Sequence, residues 1–309
     1  MAQITAAQVK ELREKTGAGM MECKAALTEA NGDLDEAVKI LRKKGLAAAG
    51  KKAGRITSDG LVSAEIRGNV GVLVEVNCET DFVAQTDEFK ALVKTLAEVV
   101  ASNEVSDVDA VLSLDWPNDP EGHTIAQVIS TKIAKTGENM SLRRFVRYVA
   151  GANDVLGSYV HGNGKIGVLV ELEAADPAKK DVAESTAREV AMHAAATEPR
   201  YKSRDEVTEQ DLATEQEIAR DQALKSGKPE AVVEKIVSGK MEKFYGETVL
   251  LEQPFVRDDK LTVSQMLDQR GKDANGKLSV VRFTRFKLGE GLQKRSDDFA
   301  AEVMAQANR

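Results

Sequence analysis

Two cysteines in 309 residues, Cys23 and Cys78, are too few for a disulfide framework or a thiolate metal cage. The three histidines, His123, His161 and His193, stand without ligand spacing. No P-loop, nucleophile elbow or dinucleotide fingerprint occurs, which leaves a hydrolase or transferase almost without support. Aromatic residues make up 4 % of the chain, with a single Trp, and this disfavours a base-stacking or sugar-stacking surface. The first residues lack the basic and apolar regions of a signal peptide, and no apolar run approaches the ~18 residues of a membrane span. The expected location is therefore the cytoplasm. What is present is charge: 43 basic residues against 50 acidic ones, a net charge of −7 and a pI near 5.3. That sign argues against a duplex or membrane-surface binder. A charge-rich chain with little catalytic equipment reads as an interaction protein. Its length gives a prior of about two domains and enough core to fold without staples.

Residues 4–45 predict three short helices. Thr5 and Gln8 form a capping box, with Val9 and Leu12 on one face and Gly17 as a left-handed stop. Met20, Cys23, Leu27 and Ala30 recur at helical spacing until Asn31-Gly32. Asp33 caps a third helix carrying Leu34, Val38 and Leu41, which Gly45 is expected to end. So small a head buries little surface and gains by docking on something. Residues 37–58 then hold seven basic residues and no acid. They read either as a site for RNA or an acidic partner, or as a solvated helix end with a mobile Ala/Gly/Lys linker.

The body repeats. Gly71-Val72-Leu73-Val74-Glu75-Val76 returns 96 residues later as Gly167-Val168-Leu169-Val170-Glu171-Leu172, behind matching turn glycines Gly68 and Gly164. Ser141 to Tyr148 returns as Ser279 to Phe286, now offset by 138, with Arg144-Phe145 set against Arg282-Phe283. Each copy reads as a hairpin, then helices, then a third strand, and copy two carries 42 extra residues. Those residues, 204–245, read as an antiparallel helical hairpin turning at Ser226-Gly227-Lys228-Pro229. Leu212, Ile218 and Leu224 on its first helix, and Val232, Val233, Ile236 and Met241 on its second, make an apolar stripe larger than a lone hairpin buries. The expected fold class is α+β with small antiparallel sheets. The partition is a three-helix head (1–54), a first repeat (55–152), a second repeat (153–203 and 246–288), the inserted hairpin (204–245) and a C-terminal helical module (289–309) with a helix near Asp297–Met304.

One motif stands out after the first strong strand: Asn77-Cys78-Glu79-Thr80-Asp81-Phe82-Val83. Thr80 can cap a helix, Asp81 suits its first turn, and Phe82 can pack inward. The ungapped 96-residue shift sets Thr80–Val83 against Asp176-Pro177-Ala178-Lys179, so copy two makes the same passage without an aromatic. The fold does not require Asp-Phe there, and an aromatic beside a carboxylate on a strand-end turn suits a wedge into a partner's groove.

Thr16–Lys24 with Ala30-Asn31-Gly32-Asp33, Asn77–Val83, Gly137-Glu138-Asn139, Gly157–His161 before Ile166–Val170, and Ser226–Pro229 together resemble bacterial elongation factor Ts over essentially the whole chain. Residues 101–130, with Trp116-Pro117-Asn118-Asp119-Pro120, match least. The resemblance implies a guanine nucleotide exchange factor for elongation factor Tu, with a ubiquitin-associated-like head, no cofactor and no metal of its own. It implies that Thr80, Asp81, Phe82 and Val83 dislodge Mg²⁺ from the GDP-bound partner, and that the nucleotide-free partner is held more tightly. Met20, Met21 and Lys24 would touch the partner, as would Gly137, beside which Thr136 departs from the family's apolar residue, and His161. His193 and both cysteines read as structural and His123 as a plain loop residue. No direct nucleic-acid or membrane contact is expected, and the hairpin is a possible dimerisation element. The competing reading is a non-catalytic adaptor that binds another protein through its helical head.

Overall fold

The computed structural model describes residues 4–16, 18–225 and 229–293. The expected stop at Gly17, the hairpin turn Ser226-Gly227-Lys228 and the C-terminal helix lie outside them. The described residues fall into two compact units. One holds residues up to Val62, Val74–Phe145 and the chain from Lys287 on; the other holds Ser63–Leu73 and Val146–Phe286.

The first unit opens with α1 (Ala6–Thr16), α2 (Met20–Glu29) and α3 (Leu34–Lys52). The signals read from the sequence act as expected. Thr5 and Gln8 exchange hydrogen bonds of 3.0 and 3.3 Å, Asn31 and Gly32 both take positive φ, and Asp33 accepts from the Glu36 amide at 2.9 Å. Leu12, Cys23, Ala26, Leu27 and Ala37 form the buried centre. Two expectations fail. Met20 lies outside the apolar face, because it occupies the first position of α2 and is 60 % exposed. Gly45 does not end its helix, and the stretch to Lys52 is helix rather than mobile linker. The alanine-rich run favours helix, and a Cβ at Gly45 would stand 3.9 Å from the Ser130 carbonyl. Gly45 is thus a point of close approach.

Next come β1 (Asp59–Arg67), β2 (Val70–Cys78), α4 (Asp81–Gln85), α5 (Asp87–Ser102), α6 (Val108–Ser113), α7 (Ile125–Thr136) and β3 (Met140–Val149). The strands pair in the order β1-β2-β3. Within the first unit α5 buries Phe89, Leu92, Val93, Leu96 and Val100, and α7 buries Ile125, Ile129 and Ile133. Gly60 has φ +134°, and a Cβ there would meet the Val76 carbonyl at 2.1 Å. Only glycine fits so near the neighbouring backbone.

The second unit continues through β4 (Asp154–His161), β5 (Ile166–Ala174) and α8 (Lys180–Thr197). The helical pair α9 (Glu209–Lys225) and α10 (Glu230–Thr248) follows, then β6 (Pro254–Phe255), β7 (Asp258–Thr262), α11 (Val263–Asp273) and β8 (Leu278–Lys287). Its main sheet runs β4-β5-β8, with β4 and β5 antiparallel and Val155 opposite Leu172. Gly157 on β4 and Ala183, Ala187, Ala191 and Ala194 on α8 are small for a reason. A Cβ on Gly157 would come within 2.4 Å of the Ala187 backbone, so helix and strand touch directly.

The helical pair buries only part of its apolar stripe. Its buried seam consists of Ala219 and Ala223 against Val233, Met241 and Phe244, while Ile218, Leu224 and Val232 are exposed. Small residues at a helix–helix contact bring the axes close, which turns the larger neighbours outward. Pro229 stands at the N-cap of α10. The pair is rooted by Arg204, which grips Glu242 and Glu252 at 2.7 and 2.5 Å and covers the Tyr245 ring at 4.1 Å.

The sequence echo has a physical counterpart. Glu75 on β2 is fully buried and accepts from Arg143 at 2.9 Å and Arg144 at 2.6 Å on β3. Its repeat mate Glu171 on β5 accepts from Arg282 on β8 at 2.5 Å. In both copies the middle strand offers a buried carboxylate to an arginine of the third.

Candidate partner interface

The chain leaves β2 at Cys78, whose thiol donates to the Thr80 carbonyl at 3.1 Å. Thr80 is in extended conformation, and its hydroxyl oxygen accepts from the Val83 amide at 3.3 Å, the N-cap bond that starts α4. The same hydroxyl donates to Glu138 Oε1 at 2.7 Å, and the Thr80 amide donates to Glu138 Oε2 at 3.1 Å. Both oxygens of one carboxylate are thus spent on one threonine. At the far end the Thr86 hydroxyl donates to the Val83 carbonyl at 2.7 Å, and its oxygen caps α5 by accepting from the Phe89 amide. A helix of five residues has little stability of its own. This one is held by a cap at each end and by buried Ala84.

A second carboxylate works in the opposite direction. Glu79 Oε1 accepts from the Asn139 amide at 2.6 Å and from Arg55 at 3.3 Å. Arg55 also donates to the Gly137 carbonyl at 3.4 Å, and the Asn139 side-chain amide returns a bond to the Arg55 carbonyl at 3.3 Å. Gly137 itself is the left-handed C-cap of α7, at φ +79°. Glu79 on one loop and Glu138 on the other therefore lock the two turns to each other.

On this rigid corner sit Asp81 and Phe82. Phe82 is 83 % exposed, which overturns the inward-packing account of that ring. The Asp81 carboxylate is exposed and has no hydrogen bond or ion pair among the described residues. Val83 is half-buried beside them. In copy two, Asp176 caps a turn over Pro177–Lys179 by accepting from the Ala178 amide at 2.9 Å, and α8 follows. The same strand-to-helix passage is made there with no aromatic in it.

The remaining candidates fall into two groups. Met20 and Met21, 60 % and 75 % exposed, share the exposed side of α2 with Lys24. His161 ends β4, exposed, with its Nδ1 3.0 Å from the Tyr159 hydroxyl. The corner brings Thr80–Val83 and Gly137 together through Glu79, Glu138 and Arg55. Glu79 and Glu138 stand in motifs quoted from the sequence, but the clamping role of these three side chains was not legible there, since they act across 24 to 84 residues.

The groups read as structural are so placed. His193 is fully buried; its Nδ1 accepts from the Val256 amide at 3.2 Å, so Nε2 carries the proton and donates to Gln253 Oε1 at 2.9 Å. Burial pushes its pKa below the usual 6.5, against the Gln253 bond. His123 holds Asp119 at 2.6 Å in its own loop. Cys23 and Cys78 are buried free thiols. Among the described residues no group of three or more His, Cys, Asp or Glu is placed to hold a metal ion, and no helix is long and apolar enough to cross a membrane.

Comparison with known proteins bears on the whole chain. Residues 79–290 match the family model described as elongation factor TS. Elongation factor Ts of Syntrophotalea carbinolica is 50 % identical over 301 residues, covering 97 % of this chain and 98 % of that protein. Those of Halothermothrix orenii and Rhodospirillum rubrum are 47 % and 48 % identical, each covering 99 % or more of both chains. With matches of this identity along its full length, the chain belongs to the elongation factor Ts family.

Proposed function

We propose that the chain speeds GDP release from elongation factor Tu by seating the Asp81-Phe82 corner in the partner's nucleotide domain and dislodging Mg²⁺. Family membership supports the general role: an elongation factor Ts is the nucleotide exchange factor of elongation factor Tu in translation elongation. The observation that carries the finer reading is Phe82, an aromatic ring held out in solvent by a corner whose own hydrogen bonds are complete. An exposed ring on a rigid turn is what a partner's groove can bury at little ordering cost.

A GTPase holds GDP through Mg²⁺ and backbone amides around the phosphates. A wedge that displaces those elements weakens both. It promotes release only if it prefers the nucleotide-free partner to the GDP-bound one, because a ligand shifts an equilibrium by its differential affinity. Phe82 supplies the contact area, Asp81 orients the corner through a polar pairing with the partner, and Thr80 with Val83 fixes their backbone. Met20, Met21 and Lys24 add a second contact from the head, where the flexible methionines adapt to the partner's surface. Gly137 and His161 are the remaining contacts. In this reading the chain makes and breaks no covalent bond, is no enzyme, and works in the cytoplasm. The exposed Ile218, Leu224 and Val232 are the face on which a second copy would pair, and light scattering separates a 1:1 complex from a larger one.

The test is the release of fluorescent GDP from elongation factor Tu at rising concentrations of this protein. Phe82→Ala is expected to lower the second-order exchange rate at least about tenfold, a loss of roughly 1.4 kcal/mol or more, and to leave the melting temperature unchanged. Asp81→Ala should give a smaller loss. Unaltered GDP release at saturating wild-type protein would return the chain to the adaptor reading, with the exposed Met20 and Met21 as its binding face.

A further inference from the structure

Within the first unit a cleft of about 880 Å³ opens between the helical head, α7 and the loop Trp116–His123. Its volume lies in the range of small-molecule sites. Val38 and Leu41 of α3, Val128 of α7, and Trp116 and Pro117 of the loop supply apolar wall. The charges around it are unevenly engaged. Every acid on the lining already has a partner: Glu22 accepts from the Gly19 amide, Glu88 pairs with Lys135 at 2.5 Å, Asp119 with His123 at 2.6 Å, and Glu121 lies 3.7 Å from His123. Three of the lysines on the lining are likewise occupied, Lys135 by Glu88, Lys44 by Glu29 at 2.6 Å and Lys52 by the Ile133 carbonyl at 3.4 Å. Lys15, Arg42 and Lys132 also line the cleft, and none of their side chains makes a hydrogen bond or ion pair among the described residues. The lining thus carries six Lys or Arg residues against four acids, a net positive excess beside an aromatic wall, in a chain whose net charge is −7.

Lys132 adds a second argument. It is half-buried on α7, and burial pushes its ammonium below the usual lysine range despite the pull of Glu88, with neighbouring Lys135 pushing the same way. Glu88 acts on this ammonium from a distance but forms no ion pair with it, and a half-buried ammonium of that kind is poised to gain a direct anion. Lys132 is one helical turn from Val128, so charge and apolar wall face one space.

We propose that this cleft binds a small anion joined to a flat apolar ring, the chemistry of a nucleoside diphosphate. Its phosphates would lie against Arg42 and Lys132 and its ring against Trp116. Thr80–Val83 are not among the residues that line the cleft.

Trp116 is the sole tryptophan of the chain, so its emission reports on the cleft without a label. The experiment titrates the full-length protein, without its partner, with ADP, pyrophosphate and adenosine, following Trp116 emission with calorimetry as the second readout. ADP should saturate at sub-millimolar concentration and bind at least tenfold more tightly than either fragment. Arg42→Gln and Lys132→Met should each weaken ADP at least fivefold with the melting temperature unchanged. Rising salt should weaken ADP binding, because it screens the cationic half of the site. No saturable signal up to millimolar ADP would overturn the proposal, as would binding indifferent to both substitutions. Pyrophosphate binding as tightly as ADP would overturn the role assigned to the ring.

Discussion

Thr80 decides the geometry of the corner, and its side chain does so with one oxygen. That oxygen accepts from Val83 and gives its own proton to Glu138, while the amide beside it fills the other carboxylate oxygen. Thr80→Val keeps the shape and removes both hydroxyl bonds. It should cost about 1–2 kcal/mol of stability and lower exchange with Phe82 still present. Thr80→Ser should restore most of both, as read by urea unfolding and GDP release. Glu138→Gln separates the charge from the shape: its amide can keep one of the two bonds, so a milder loss is expected. Phe82 differs from all of these, because nothing in the fold leans on it.

At the scale of elements, α8 is tied to the segment after α10 by a buried polar knot. His193 donates to Gln253, Thr197 donates to the same Gln253 oxygen at 2.8 Å, and the Gln253 amide reaches the Glu247 carbonyl at 2.7 Å. The His193 pKa is lower in the folded chain than in the unfolded one, so below about pH 6.5 the unfolded state takes up the proton first. Stability is therefore whole above that pH and falls as pH drops through it, by up to about 1.4 kcal/mol per unit from this one group. Chemical unfolding between pH 7.5 and 5 measures the slope, and His193→Gln should flatten it. Elements were also where the sequence was most and least legible. Caps such as Thr5, Asp33 and the Asn31-Gly32 stop act through neighbours in the chain, so their residue types announce them. Gly45 looked like another stop and is instead a contact point with α7, a fact carried by a helix 80 residues away. In the helical pair the large residues Val233 and Met241 of the stripe were legible, while the small Ala219 and Ala223 that are also buried carried no signal of their own. For the corner, the repeat itself revealed that the fold can do without Phe82. Gly137-Glu138-Asn139 was visible as a motif, but its clamp on Thr80 was not, because 58 residues separate Glu138 from it.

For the whole molecule, the doubled plan is kept where each copy buries a carboxylate in its middle strand. Glu75 has taken on more than Glu171 has. Besides Arg143 and Arg144 it accepts from Asn77 at 3.2 Å and from the Gly289 amide at 2.9 Å, so it anchors the chain just past β8. Burial pushes the Glu75 pKa up, but the Gly289 amide and the two guanidinium groups outweigh it and hold the carboxyl below 4.5. Stability from Glu75 is therefore present above about pH 4.5 and lost as pH falls below it. Glu75→Ala takes the buried acceptor from two arginines that are only 23 % and 30 % exposed and leaves them their contacts to Glu290, and it should cost about 2–3 kcal/mol. Glu171→Ala, which frees one more exposed arginine, should cost less; parallel melts of the two variants test that ranking.

The double lock of Glu79 and Glu138 has a thermodynamic consequence for association. A corner that is already ordered brings no coupled folding to the complex. The heat-capacity change on binding should then track the apolar area that Phe82 and its surroundings lose to the partner, without the large extra decrement that marks a segment ordering as it docks. Titration calorimetry at several temperatures reads that quantity directly. Loosening the corner with Thr80→Val should make the change more negative even as affinity falls.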